Sequence, residues 1–166
     1  VVSKNNLLWD KPVEEKLTAI RHANGKDWWL IAHALVRDYE QICNNEFVKI
    51  RLSGNTVSQP TVQEVFPLNC NFMNSGGEMA ISQDGSKLAY GNFTGGEIVL
   101  YDFDRCSGQL SNPNYVEDDN SGDPLIPYSL EFSPSGSLLY TSTHGGGGPP
   151  AYRNKLIQYD LSATDI

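Results

Sequence analysis

The chain has 166 residues, 12 basic and 20 acidic side chains, a formal net charge of −8, and apolar residues at 39%. That apolar share is enough for a packed core. The acidic balance excludes the basic stripe with which a nucleic-acid surface neutralises phosphates, and no apolar run approaches the roughly 20 residues of a membrane-spanning helix.

In chain order, residues 1–15, with Asn5-Asn6 and Lys11-Pro12, read as the tail of a preceding unit or a linker. Residues 16–66 form a first unit. Asn24-Gly25 supplies residues that tolerate the positive φ of a tight hairpin, and Trp28-Trp29-Leu30-Ile31-Ala32-His33 is the second strand. A loop from Arg37-Asp38 to Asn44-Asn45 follows. Glu46-Phe47-Val48-Lys49-Ile50-Arg51-Leu52 alternates as a half-buried strand should, and the stretch from Val57 to Phe66 supplies an outer strand. A helix over Ala34 to Ile42 ranks second, because it carries no cap at its end.

A second unit spans 77–117 and a third 126–163, separated by the acidic, turn-rich stretch Glu117 to Pro124, a solvated loop. Within them one pattern of strand, turn and strand recurs, as Met79-Ala80-Ile81-Ser82-Gln83-Asp84-Gly85-Ser86-Lys87-Leu88-Ala89-Tyr90 and as Leu130-Glu131-Phe132-Ser133-Pro134-Ser135-Gly136-Ser137-Leu138-Leu139-Tyr140-Thr141. Each copy leads to a third strand, Ile98 to Phe103 and Leu156 to Leu161, with Tyr-Asp near its end. Strands are predicted over 79–82, 87–92, 97–103, 129–133, 138–143 and 155–161, with reverse turns at Asp84-Gly85 and Ser135-Gly136. A two-residue period places Ile81, Leu88, Val99, Phe132, Leu139 and Ile157 on buried faces.

Gly85 and Gly136 are 51 residues apart, and Gly25 lies 60 residues before Gly85. A period of this size, with several strands per unit, is the mark of a propeller blade. The predicted fold class is therefore all-β, an antiparallel β-propeller fragment of about three four-stranded blades. Propellers close with roughly four to eight blades. Three blades leave sheet edges to be covered by the remaining blades of the same chain or by a second copy.

Three cysteines leave at least one unpaired within the chain. In an up-and-down blade Cys43 falls in the loop between the second and third strands and Cys70 in the crossover to the next blade, on one face of the disc. Cys106 follows a third strand and belongs to the opposite face. A Cys43–Cys70 disulfide is topologically allowed, the alternative being three buried thiols.

No catalytic residue, cofactor or metal site is assigned. His22, His33 and His144 form no close-spaced ligand pair, and His22 takes the place of the serine in the strand-turn pattern, which points to a structural hydrogen bond. The run His144 to Pro150 lacks the Lys-Ser/Thr of a phosphate loop and is better explained as a long hairpin loop. Asp118-Asp119-Asn120-Ser121-Gly122-Asp123 has the composition of a calcium loop, but glycine holds its fifth position and the bidentate glutamate is missing, so it reads as a solvated turn. Trp28 and Trp29 must point to opposite strand faces, where core packing is favoured over a ligand platform. No G-x-S-x-G nucleophile motif is present.

The paired strands, Phe132-Ser133-Pro134-Ser135-Gly136 above all, resemble the WD-like propeller repeats of the Tol-system periplasmic protein. The segments Glu15 to Trp29 and Tyr101 to Asn112 are similar to the N-terminal propeller of large surface proteins that gliding bacteria export by type IX secretion, in which PKD-like repeats commonly follow. The resemblance implies a secreted or cell-surface location, where a disulfide can persist, and offers no catalytic residues. It favours a non-catalytic binding or display module for a protein or glycan partner. The alternative is part of a propeller enzyme of lactonase-like or quinoprotein-like type.

Overall fold

The computed structural model describes residues 6–37, 43–65, 76–93, 96–116, 126–144 and 154–163, the side chains of 35–37 and 43–45 excepted. Every element among them is a β-strand, and the strands form three antiparallel sheets. The first joins β1 (Val13–Arg21), β2 (Trp28–Arg37) and β3 (Cys43–Ser53), with β4 (Thr56–Val57) and β5 (Thr61–Glu64) both paired to β3. The second orders β6 (Met79–Ile81), β7 (Lys87–Asn92), β8 (Glu97–Asp104) and β9 (Gln109–Val116) side by side. The third contains β10 (Pro127–Phe132), β11 (Leu138–Thr143) and β12 (Leu156–Asp160).

Among the described residues the sheets have five, four and three strands, about the expected four-stranded blade. In the first sheet the outer position is split in two at Ser58-Gln59-Pro60, where Pro60 has no amide to give a ladder. Ser58 bridges the gap: its amide donates to the Arg51 carbonyl at 2.9 Å and its hydroxyl accepts from the Arg51 amide at 2.9 Å. The loop expected from Arg37 to Asn45 is also shorter than its sequence suggested. Leu35, Val36 and Arg37 pair in register with Asn45, Asn44 and Cys43, so the strand is favoured over the helix there, as suits an apolar run beside an existing ladder. Cys43 is therefore the first residue of a strand rather than a loop residue.

Three hairpin turns share one geometry. Gly25, Gly85 and Gly136 have φ of 70°, 73° and 72°, a region in which only glycine is free of Cβ strain. Their amides donate to the carbonyls of His22, Ser82 and Ser133 at 2.9, 2.8 and 2.8 Å. The amides of His22, Ser82 and Ser133 in turn donate to the carbonyls of Asp27, Lys87 and Leu138. A side-chain oxygen two positions after the first residue caps each turn: Asn24 Oδ1 accepts from the Lys26 and Asp27 amides, Asp84 Oδ1 from the Ser86 amide and Ser135 Oγ from the Ser137 amide.

The inner strands β1, β6 and β10 neighbour one another, with β6 in the middle. The central sheet is covered on both sides, and the two-residue period sorts its residues between them. Leu88, Tyr90, Val99, Tyr101 and Phe103 face the first sheet, together with Trp29, Ile31 and Phe47. Ala89, Ile98 and Leu100 face the third, with Leu130, Phe132 and Leu139. Of the six residues expected in the core, Leu88, Val99 and Leu139 are wholly buried and Phe132 nearly so. Ile81 and Ile157 are half-buried at the margins of the two clusters, because each lies on a short strand near an open side.

Candidate functional site

The inner strands line a concave groove of about 370 Å³, bounded among others by Glu15, Leu17, Glu78, Ile81 and Glu131. Each blade contributes one exposed carboxylate: Glu15 from β1, Glu78 from the residue before β6, and Glu131 from β10. Glu78 is oriented, since the Leu130 amide donates to its Oε2 at 3.1 Å.

Behind the groove the opposite face of β1 carries a buried ionic cluster. Glu14 Oε2 accepts from Lys16 Nζ at 2.6 Å and from the Tyr90 hydroxyl at 3.3 Å, and lies 3.0 Å from His33 Nδ1. Lys16 Nζ also donates to the Gly76 carbonyl at 2.8 Å and sits 4.8 Å from the Tyr90 ring centroid. His33 packs against Phe47 and Tyr90, with centroids 5.1 and 4.8 Å away. Burial alone would raise the Glu14 carboxyl, but the His33 contact and the Lys16 ammonium outweigh it and hold the group below its usual range. Burial lowers the Lys16 ammonium against the opposing pull of Glu14. These side chains touch one another rather than solvent, so their chemistry is structural: they fasten the first blade to the second.

A second buried lysine works in the same seam. Lys49 Nζ donates to Gln63 Oε1 and to the Gly108 carbonyl, each at 2.6 Å, and burial pushes it down to about 8. At the turn of the first blade, hydrogen bonds from Arg51 and Asn24 hold the Asp27 carboxyl down to about 2.

Sequence reasoning placed several residues well. His22 is buried, and its Nδ1 accepts from the Asn24 amide at 3.0 Å, the structural bond expected of it. Trp29 is in the core with its indole N–H donating to the Arg105 carbonyl at 2.8 Å. Trp28 points the other way and is 41% exposed beneath the Arg21 guanidinium. Cys106 is exposed, which corrects the alternative of three buried thiols: it sits in the β8–β9 turn, open to solvent. The Cys43 side chain, Cys70, Asp118 to Asp123 and Gly145 to Pro150 lie outside the described residues, and with them the Cys43–Cys70 pairing. Among the described residues no group of three or more His, Cys, Asp or Glu side chains is placed to hold a metal ion. Glu14, Lys16, Lys49 and the groove carboxylates were missed. The signal was available for two of them: continuing the two-residue period backward from Ile20 through Thr18 puts Lys16 and Glu14 on the inward face.

No protein-family model matches the sequence, and no curated protein does. Solved structures match in fold. The chain aligns over 87% of its length with 41% of luciferin-regenerating enzyme, at a TM-score of 0.51 and 17% identity. It aligns over 87% of its length with 38% of a candidate 6-phosphogluconolactonase from Bacteroides fragilis NCTC 9343, at 0.52 and 15%. A candidate 6-phosphogluconolactonase from Bacteroides uniformis ATCC 8492 is matched over 95% of this chain and 47% of its own, at 0.54 and 11%. The chain thus spans less than half the length of these three proteins. At such identities the likeness is one of fold, and the three sheets are the blades of a β-propeller fragment.

Proposed function

We propose that the chain is part of a lactonase-like propeller enzyme whose substrate meets the groove on the inner strands. The observation that carries this is that Glu15, Glu78 and Glu131, one carboxylate per blade, line one concave groove, with Glu78 oriented by the Leu130 amide. The fold shared with luciferin-regenerating enzyme and with two candidate 6-phosphogluconolactonases supports it. Lactone opening needs a group that takes a proton from water as the oxygen adds to the carbonyl carbon; the ring C–O bond then breaks and the proton passes to the departing ring oxygen, giving a hydroxy acid. Glu78, aimed by the Leu130 amide, is the groove carboxylate suited to that task.

The test is acid release from glucono-δ-lactone by the full-length protein, followed in a pH-stat against the spontaneous rate. Hydrolysis is expected, with Glu78→Gln slower by 10²-fold or more. Hydrolysis at the spontaneous rate, or an unimpaired Glu78→Gln variant, would overturn the reading.

A non-catalytic binding module is the second reading, favoured by one observation. The buried polar cluster of Glu14, Lys16, His33 and Tyr90 is sealed between blades and holds structure rather than substrate. Under it the groove receives a protein or glycan, and the likeness to Tol-type and type IX-exported propellers would place the protein at the cell surface or outside the cell.

A further inference from the structure

Phe93, which follows β7, Tyr128 in β10 and His144, which follows β11, bring three rings from two blades together. Centroid separations are 6.1 Å for Phe93–Tyr128, 5.5 Å for Phe93–His144 and 6.0 Å for Tyr128–His144. Tyr128 is 49% exposed, His144 is exposed and Phe93 half-buried. Tyr90 and Tyr101, by contrast, are buried in the core.

Tyr128 is turned outward by a local device. Pro127 pairs with Thr143 and Ser129 with Ser142, so Tyr128 is the extra residue of a β-bulge. Alternation counted from Phe132 and Leu130 would put Tyr128 on their core face, and the bulge reverses it; bulges commonly re-aim a side chain beside a site. The corresponding positions of the other inner strands carry no ring: Leu17, exposed, and Gly77, with φ of 95°. Phe93 is seated against its own blade's approach to β6, since a Cβ on Gly76 would stand 3.0 Å from its Cγ. The rings therefore stand where the chain enters the inner strands, and Tyr128 is three residues from Glu131 of the groove.

We propose that Phe93, Tyr128 and His144 form a stacking platform for the ring of a polyhydroxylated lactone, at the rim of the groove. The proposal deepens the lactonase reading and rests on it for the reaction but not for the binding. A sugar ring offers a C–H face to an aromatic surface and hydroxyls at its edge. The platform supplies the first contact, while the Tyr128 hydroxyl, the His144 imidazole and the Glu131 carboxylate supply partners for the second, an aromatic site with few polar groups.

The experiment uses the full-length protein and two probes. Glucono-δ-lactone reports turnover, and glucono-δ-lactam, which keeps the ring and hydroxyls but resists opening, reports binding by calorimetry. Tyr128→Ala is expected to raise KM for the lactone and Kd for the lactam about tenfold with kcat within twofold, while Tyr128→Phe stays within about threefold of wild type. His144→Ala gives a smaller rise in both. If wild type binds the lactam and Tyr128→Ala weakens it but no lactone is opened, the platform stands and the lactonase reading falls. The platform is overturned if wild type does not bind the lactam, if Tyr128→Ala binds it as wild type does, or if Tyr128→Phe is as weak as Tyr128→Ala.

Discussion

The two seams between blades solve one packing problem with different chemistry. Between the second and third sheets the buried contact is mainly aliphatic, Ala80, Ala89, Ile98, Leu100, Leu130 and Leu139 with Phe132, and Tyr159 packs at its margin. Between the first and second it is aromatic, with Trp29, Phe47, Tyr90 and Tyr101, and alongside it lie the buried Glu14, Lys16, His33 and Lys49. The aliphatic seam is held by non-directional burial and tolerates small shifts of one sheet over the other. The ionic seam is directional, because each buried charge must keep its partners or bear its desolvation alone.

Single substitutions should therefore fail differently in the two seams. Glu14→Ala leaves the Lys16 ammonium without its carboxylate inside the protein, a change that costs about 3–5 kcal/mol. Glu14→Leu combined with Lys16→Met is expected to recover most of that loss, since it removes both charges and fills their space. Phe132→Ala in the other seam also costs about 3–5 kcal/mol, through lost burial and a cavity, and no second substitution of polar type rescues it. Chemical denaturation of the full-length protein measures both. A loss below about 1 kcal/mol for either single variant would mean that its seam is held by other residues.

The turns sharpen the comparison at a smaller scale. Gly108 and Gly136 have nearly the same backbone, φ of 73° and 72°. An added Cβ at Gly108 would stand 2.9 Å from Trp29 Cη2, whereas at Gly136 the nearest heavy atom, Ser82 Cβ, is 3.9 Å away. Both alanine variants carry the left-handed penalty of about 1–2 kcal/mol. Gly108→Ala is expected to lose about 1–3 kcal/mol more, because the Trp29 ring is pinned by its bond to Arg105. Equal losses at the two positions would show that the ring moves freely.

The last contrast is one of pH. Burial sets the folded Lys49 at about 8, below its ordinary 10.5. Between those values the unfolded chain binds more protons than the folded one, so stability rises with pH across that window and the cost of the buried charge is fully present below it. Lys49→Met should flatten this part of the stability profile, as read from denaturation midpoints between pH of about 8 and 10. A slope unchanged by the substitution would assign the rise to another group.

Much of the fold was legible from local chemistry. Asn24-Gly25, Asp84-Gly85 and Ser135-Gly136 each supply a capping oxygen followed by a residue free to adopt positive φ, and both requirements are met within four residues. Alternation likewise sorted Leu88 and Leu139 into the core. The site was less legible, for physical reasons. Glu14-Glu15-Lys16 has the composition of a solvated segment, and what makes two of the three internal is contact with His33 and Tyr90, 19 and 76 residues from Glu14. The Tyr128 bulge leaves no mark in composition, because it is a property of how two strands pair. The groove carboxylates come from three separate repeats, and only the ring geometry of the blades brings them to one face.

One bond described above has a geometric meaning as well as an energetic one. Lys16 belongs to the first blade and the Gly76 carbonyl it grips, at 2.8 Å, to the approach to the second. A hydrogen bond of that length works as a spacer, fixing the pitch between neighbouring blades at the end where the inner strands begin. In a closed ring a small error in pitch repeats at every joint and accumulates into the width of the central bore. Lys16 thereby gauges the spacing between the first two inner strands, although its side chain is itself buried behind the groove they line.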